Sequence, residues 1–123
     1  MNKSEYSMAS KQIYSGKIVK LRVDDVTLSN GHTTQREVVE HAPAVAILAV
    51  DDEGNVLLVR QFRYATGHEL LEIPAGIMEK GESPEETARR ELREEIGYDA
   101  KFLKHIASFY SSPGFSDEII HLF

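Results

Sequence analysis

Between Gly76 and Tyr98 the chain reads GIMEKGESPEETARRELREEIGY, a glycine loop running into a helix that carries its own start and stop signals. Ser83 is a good N-cap, Pro84 suits the first helical turn, and Glu86 stands three residues after the cap, which makes a capping box. Gly97 is the residue expected just past a helix end, where the backbone turns left-handed. The spacing therefore predicts a helix from Pro84 to Ile96, buried along a stripe of Ala88, Leu92 and Ile96. The rest of the chain is organised around this helix.

Beside the stripe lie Glu91, Glu94 and Glu95, mutual neighbours at spacings of three, four and one. Like charges three or four apart each cost a helix roughly 0.2–0.5 kcal/mol. They also fall in the last turns, where the helix dipole disfavours carboxylates. Such a cluster makes sense if something cationic occupies the space between the carboxylates. Oxygen-only ligands point to a hard cation, Mg2+ or Mn2+, rather than zinc. A plainer reading is a solvated, charge-rich face, because Arg89, Arg90 and Arg93 are interleaved and Glu85–Arg89 and Glu86–Arg90 are favourable pairs. On helix composition alone both readings stand.

Composition narrows the class. At 123 residues the chain is one domain, and a net charge of −6 argues against a nucleic-acid footprint. An anionic substrate on so acidic a protein needs local compensation by metal and a few arginines. The absence of cysteine removes any disulfide framework or thiolate metal site, which fits a reducing, cytoplasmic setting. No apolar run approaches the ~18 residues of a membrane span, and MNKSEYSMAS has no apolar core of a signal peptide.

Residues 1–12 are polar and read as a loose tail. Ile13 to Leu28 is strand-like, with a change of apolar parity after Val23 that marks a bulge or a change of sheet. Asn30-Gly31 predicts a hairpin returning over Thr33–Glu40. Residues 13–42 thus form an arm, either a simple sheet extension or a dimer element. Ala44 to Val50 reads as a strand buried on both faces, Val56 to Arg60 as its return, and Leu70 to Ile73 as a short strand. Asp51-Asp52-Glu53-Gly54-Asn55 lacks calcium-loop spacing and reads as a turn, and Gly76 with Gly81 lacks the Lys-Ser/Thr of a P-loop. Strands are expected again over Lys101–Tyr110 and from Glu118 to Phe123. His32, His41, His68, His105 and His121 show no ligand spacing and read as surface or packing residues.

From Gly76 the pattern runs five residues, Glu82, seven residues, Arg90-Glu91-Leu92, one residue, Glu94-Glu95, one residue, Gly97. This resembles the Nudix box, the signature of hydrolases acting on nucleoside diphosphates linked to another group; only Tyr98 departs, where an aliphatic residue is usual. Pro113, sixteen residues after Gly97, together with the Gln61-Phe62-Arg63 and Glu72–Gly76 segments, resembles the ADP-ribose pyrophosphatase branch.

The resemblance implies an α/β fold, an α/β/α sandwich on a mixed sheet, with the N-terminal antiparallel arm added. It implies metal ligation by Glu91, Glu94, Glu95 and the Ala75 carbonyl, and an Arg90 that pairs with a carboxylate, Glu82 being the candidate. Arg63 is expected at the diphosphate, Glu118 at the terminal ribose side, and Pro113 as a marker of substrate. Tyr14 is the candidate for stacking on adenine. Homodimers of the family exchange N-terminal strands, so Arg36 would reach the partner's substrate. The implied reaction is Mg2+- or Mn2+-dependent hydrolysis of ADP-ribose to AMP and ribose 5-phosphate. The alternatives are a pyrophosphatase for another nucleotide sugar and a non-catalytic ADP-ribose sensor. Relatives are longer and carry their catalytic base on a later loop, so the C-terminal part of the domain, and the base, are expected beyond Phe123.

Overall fold

Helix α1 spans Pro84–Ile96, with both halves of the capping box formed and Gly97 closing it at φ 71°. Its buried face takes in Ala88 and Leu92, as the spacing predicts, with Thr87 and Glu91 beside them and Ile96 partly buried. Ala88 and Leu92 join Val45, Ile47 and Phe123 in a core, and Ile96 packs against it. Fully burying a side chain the size of Val45, Ile47, Leu92 or Phe123 contributes about 1.5–3 kcal/mol. This is a computed structural model describing residues 4–123.

The chain divides into two units, one holding the described residues up to Ala42 with Tyr110–Glu118, the other Pro43–Phe109 with Ile119–Phe123. The second unit contains α1 and a mixed sheet. Strands β4 (Ala44–Ala46), β7 (Ala75–Ile77), β8 (Ala107–Tyr110) and β9 (Ile119–Leu122) take the order β7-β4-β9-β8. β4 runs antiparallel to β7 and parallel to β9. A separate hairpin pairs β5 (Val59–Arg63) with β6 (His68–Glu72). The result is an α/β fold with one helical layer. The second helical layer of the expected sandwich has no counterpart among the described residues.

The first unit is an antiparallel sheet, β1-β2-β3, formed by β1 (Glu5–Ser15), β2 (Val19–Leu28) and β3 (Thr33–His41). Here the structure corrects the loose tail. Residues 5–12 are strand, while the part of that tail formed by residues 1–3 lies outside the described residues. Polarity misleads because β1 is held by its backbone ladder and by bonds such as Ser10 Oγ to Asp24 at 2.6 Å, not by burial. The single strand read over Ile13–Leu28 is two strands, joined by a turn in which Gly16 N–H donates to the Val19 carbonyl at 2.9 Å. The expected bulge falls on β1 and not on the strand that changes parity, since β2 keeps an unbroken register with β3. The β1–β2 register slips between Ser7 and Ala9, opposite Val26 and Asp25.

Ala44–Val50 is likewise not buried on both faces. Val45 is 0% exposed but Leu48 is 45% and Val50 58%, an alternation that continuous apolar composition hides. The return strand begins at Val59 rather than Val56, which makes only an isolated bridge to Val50. β8 keeps only the last four residues of the run expected over Lys101–Tyr110.

Candidate metal and substrate site

Glu82, just before the N-cap of α1, is where the site begins. Its Oε1 accepts from the Glu79 backbone N–H at 2.9 Å, the Thr87 hydroxyl at 2.9 Å and Arg90 Nη2 at 3.0 Å. Its Oε2 accepts from Arg90 Nε at 2.8 Å. The Arg90 hydrogen bonds, followed by the Glu79 N–H, hold the Glu82 carboxyl down at about 2. The same contact raises the Arg90 guanidinium above its usual range.

The far side of that guanidinium faces the glutamates. Nη1 donates to Glu91 Oε1 at 2.7 Å and Glu94 Oε2 at 3.2 Å, while Nη2 reaches the Ile77 carbonyl at 3.1 Å. Between Glu91 and Glu94 the cation that the sequence asks for is therefore, in part, the chain's own arginine. Among the described residues no arginine or lysine forms an ion pair with Glu95, though the charge of Arg63 acts on it. Its Oε2 accepts the Ala75 N–H at 3.3 Å, which sets the Glu95 carboxylate beside Ala75 on β7. Burial is the first cause pushing both Glu91 and Glu95 above the ordinary carboxylate range. A carboxylate raised by desolvation carries a charge that lacks sufficient compensation.

Gly76 completes the arrangement. The Glu91 carboxylate lies where a Cβ on residue 76 would be, so any side chain there would displace it. Among the described residues no three His, Cys, Asp or Glu side chains stand ready-made around one ion position. The donor chemistry nonetheless fits a hard divalent cation. The donors are oxygen only, two of the carboxylates are desolvated, and Glu94, 57% exposed, lies at the open side.

Arg63 is engaged by a residue to which the sequence assigned no role. Its Nε and Nη2 donate to the two oxygens of Glu72, each at 2.7 Å, raising Arg63 and lowering Glu72. The charge of Glu95 also acts on Arg63, which puts this pair near the glutamate cluster. Thr87 was missed as well. Its only signal was a β-branched residue in a helix of otherwise strong formers.

The remaining predicted contacts belong to the first unit and are engaged there. Arg36 pairs with Glu5 at 2.7 Å, Glu118 accepts from Ser111 Oγ at 2.6 Å and faces His41 Nδ1 at 3.1 Å, and Pro113 lies in the exposed turn after β8. In the second unit His105 Nε2 and His121 Nδ1 each lie 2.7 Å from Ser108 Oγ, a pairing between residues far apart in sequence.

Comparison with known proteins bears on the chain as a whole rather than on these side chains. The NUDIX domain model matches residues 40–123, and the model of the nucleoside diphosphate sugar hydrolase N-terminal domain matches residues 9–39. An ADP-ribose pyrophosphatase of Bacillus subtilis (strain 168) is 56% identical over 119 residues, covering 97% of this chain and 64% of that protein. A methanol dehydrogenase activator of Bacillus methanolicus is 50% identical over 119 residues with the same coverage, 97% and 64%. The chain thus spans 64% of the length of both relatives. A solved structure described as an ADP compounds hydrolase matches 98% of this chain and 65% of that one with a TM-score of 0.87; at 23% identity the likeness speaks to fold alone.

Proposed function

This chain belongs to the NUDIX family, and from that premise we propose that it hydrolyses the diphosphate of ADP-ribose to AMP and ribose 5-phosphate with the help of a divalent metal. The observation that carries the reading is the run of bonds from Glu82 through Arg90 to Glu91 and Glu94, beside a desolvated Glu95. The likeness to an ADP-ribose pyrophosphatase supports the substrate.

In this reading Glu91, Glu94, Glu95 and the Ala75 carbonyl hold Mg2+, with Mn2+ as the alternative of the same class. A cation so held supplies charge neutralisation for the diphosphate, acidifies water and stabilises charge building on phosphorus. The chain's own residues supply placement. Glu82 anchors Arg90, and Arg90 fixes the directions of Glu91 and Glu94. Arg63, held by Glu72 near the cluster, is poised to share its guanidinium with a phosphate. Water adds its hydroxyl to one phosphorus and gives up its proton to solvent, and the bond from that phosphorus to the bridging oxygen breaks, so the oxygen leaves with the other phosphate. None of the described residues is assigned the base.

The antiparallel sheet of the first unit and the match over residues 9–39 support residues 13–42 as a dimerisation arm of a domain running over 13–123. Arg36 then reaches the partner's substrate, Glu118 serves the terminal ribose side, and Pro113 marks the substrate. No helix among the described residues is long and apolar enough to cross a membrane. A cytoplasmic setting is part of the proposal.

The name of the N-terminal domain model favours a second reading, hydrolysis of another nucleoside diphosphate sugar. The test is AMP release from ADP-ribose by the full-length protein with and without Mg2+. Metal-dependent AMP release supports the first reading. Turnover of other nucleotide sugars alone supports the second, and no turnover of either rejects both.

A further inference from the structure

We propose that Thr87 is a positioning residue that sets the affinity of the glutamate cluster for its divalent cation, acting through Glu82 and Arg90. The inference rests on the metal reading given above. Thr87 is 0% exposed, and a hydroxyl so buried must find a partner. It has one proton and two acceptors within reach, Glu82 Oε1 at 2.9 Å and the Ser83 carbonyl at 3.2 Å. The Ser83 carbonyl already accepts the Thr87 backbone N–H at 3.0 Å. The carboxylate is nearer and charged, so the proton goes to Glu82.

Glu82 has two anchors that do not depend on Arg90, the Glu79 N–H and the Thr87 hydroxyl, and both meet Oε1. With one of them removed, the carboxylate can pivot about the other. The guanidinium is a rigid plane gripped along its Nε–Nη2 edge, so any tilt of Glu82 is passed to the opposite corner, Nη1. That corner is the one bonded to Glu91 and Glu94. A hydroxyl in the first turns of α1 therefore aims carboxylates about one and two turns further along. Structure alone gives little reason for threonine here, since β-branching and back-bonding to the preceding turn both weaken a helix.

The test uses full-length protein with Thr87→Val, which keeps the shape and removes the hydroxyl, and Thr87→Ser, which keeps the hydroxyl. Mn2+ binding by calorimetry is expected to weaken about three- to tenfold in Thr87→Val, the effect of one lost hydrogen bond. Thr87→Ser should bind within about twofold of the unaltered protein by the same reasoning. In a Glu82→Gln background Thr87→Val should add little, because the two act in series. In metal-free protein the Arg90 Nε–H resonance should shift in Thr87→Val and stay in place in Thr87→Ser. Equal Mn2+ affinity in Thr87→Val, or equal loss in Val and Ser, overturns the proposal. If Thr87→Val does not fold, Thr87→Ala replaces it with the same expectations. Failure of the unaltered protein to bind Mn2+ sinks the metal reading instead, and the Arg90 resonance still decides whether Thr87 positions the pair.

Discussion

Arg90 grips Glu82 through Nε at 2.8 Å and Nη2 at 3.0 Å and, with the same planar group, reaches Glu91 through Nη1 at 2.7 Å. One side chain thus ties the loop before α1 to the ligand face of the helix. A point charge cannot do this, because it has no fork. Arg90→Lys should keep the fold yet lower kcat/KM on ADP-ribose by on the order of ten- to a hundredfold, the usual loss when a ligand's supporting partner is removed. Steady-state kinetics beside a melting curve will decide. Unchanged kinetics would show that Arg90 does not orient the glutamates.

Glu94 and Glu95 are expected to behave as ligands rather than as a wet helix face. Glu94→Gln and Glu95→Gln should each reduce metal-dependent turnover in the full-length protein by about a hundredfold or more, beyond the loss typical of supporting residues. The fold should survive, since like charges at these spacings are a burden on the helix rather than a support. If both variants turn over normally, the metal assignment is wrong.

Gly76 is needed for space, not for backbone freedom. The Glu91 carboxylate occupies the place of its missing Cβ. That carboxylate is the end of a flexible side chain, so Gly76→Ala should shift the melting temperature little. Metal affinity should drop about tenfold, as a displaced ligand implies. Calorimetric titration with Mn2+ reads the loss directly.

The acid limb of stability should carry the signature of Glu82. Its folded pKa of about 2 lies below its ordinary value of 4.5, because Arg90 and the Glu79 N–H bind the charged form. A depressed carboxylate contributes stability that is fully present above its unfolded pKa and is lost as pH falls through the folded one. The unaltered protein should therefore lose stability relative to Glu82→Gln between about pH 4.5 and pH 2. Urea unfolding midpoints of both proteins across that window test this. Parallel curves would mean the pair contributes nothing to folding.

What could be read from the sequence was what is local. The capping box, the Gly97 stop and the Ala88, Leu92 and Ile96 stripe are signals within one helix, and each holds in the structure. The Glu82–Arg90 pair was implied by the family resemblance, and the two side chains are bonded in the structure. Errors arose where a segment's fate depends on a distant partner. Polar residues 5–12 become strand because β2 lies alongside, and Leu48 and Val50 turn outward because the sheet buries only one parity of that run. Glu72 could not be paired with Arg63 from spacing alone, since the ladder sets Glu72 opposite Val59 and Arg63 opposite His68, yet the two side chains meet.

The sequence by itself determined the helix, its ends, its buried face and the clustering of three carboxylates on one side, because a period of 3.6 residues converts spacing into geometry. Tertiary structure alone decided how those carboxylates are treated. Packing against β7 buries Glu91 and Glu95 and raises them, sets Gly76 beneath Glu91, and brings the Ala75 N–H to Glu95. Desolvation depends on what covers a group, and that is decided by the strand laid across the helix face rather than by the helix itself.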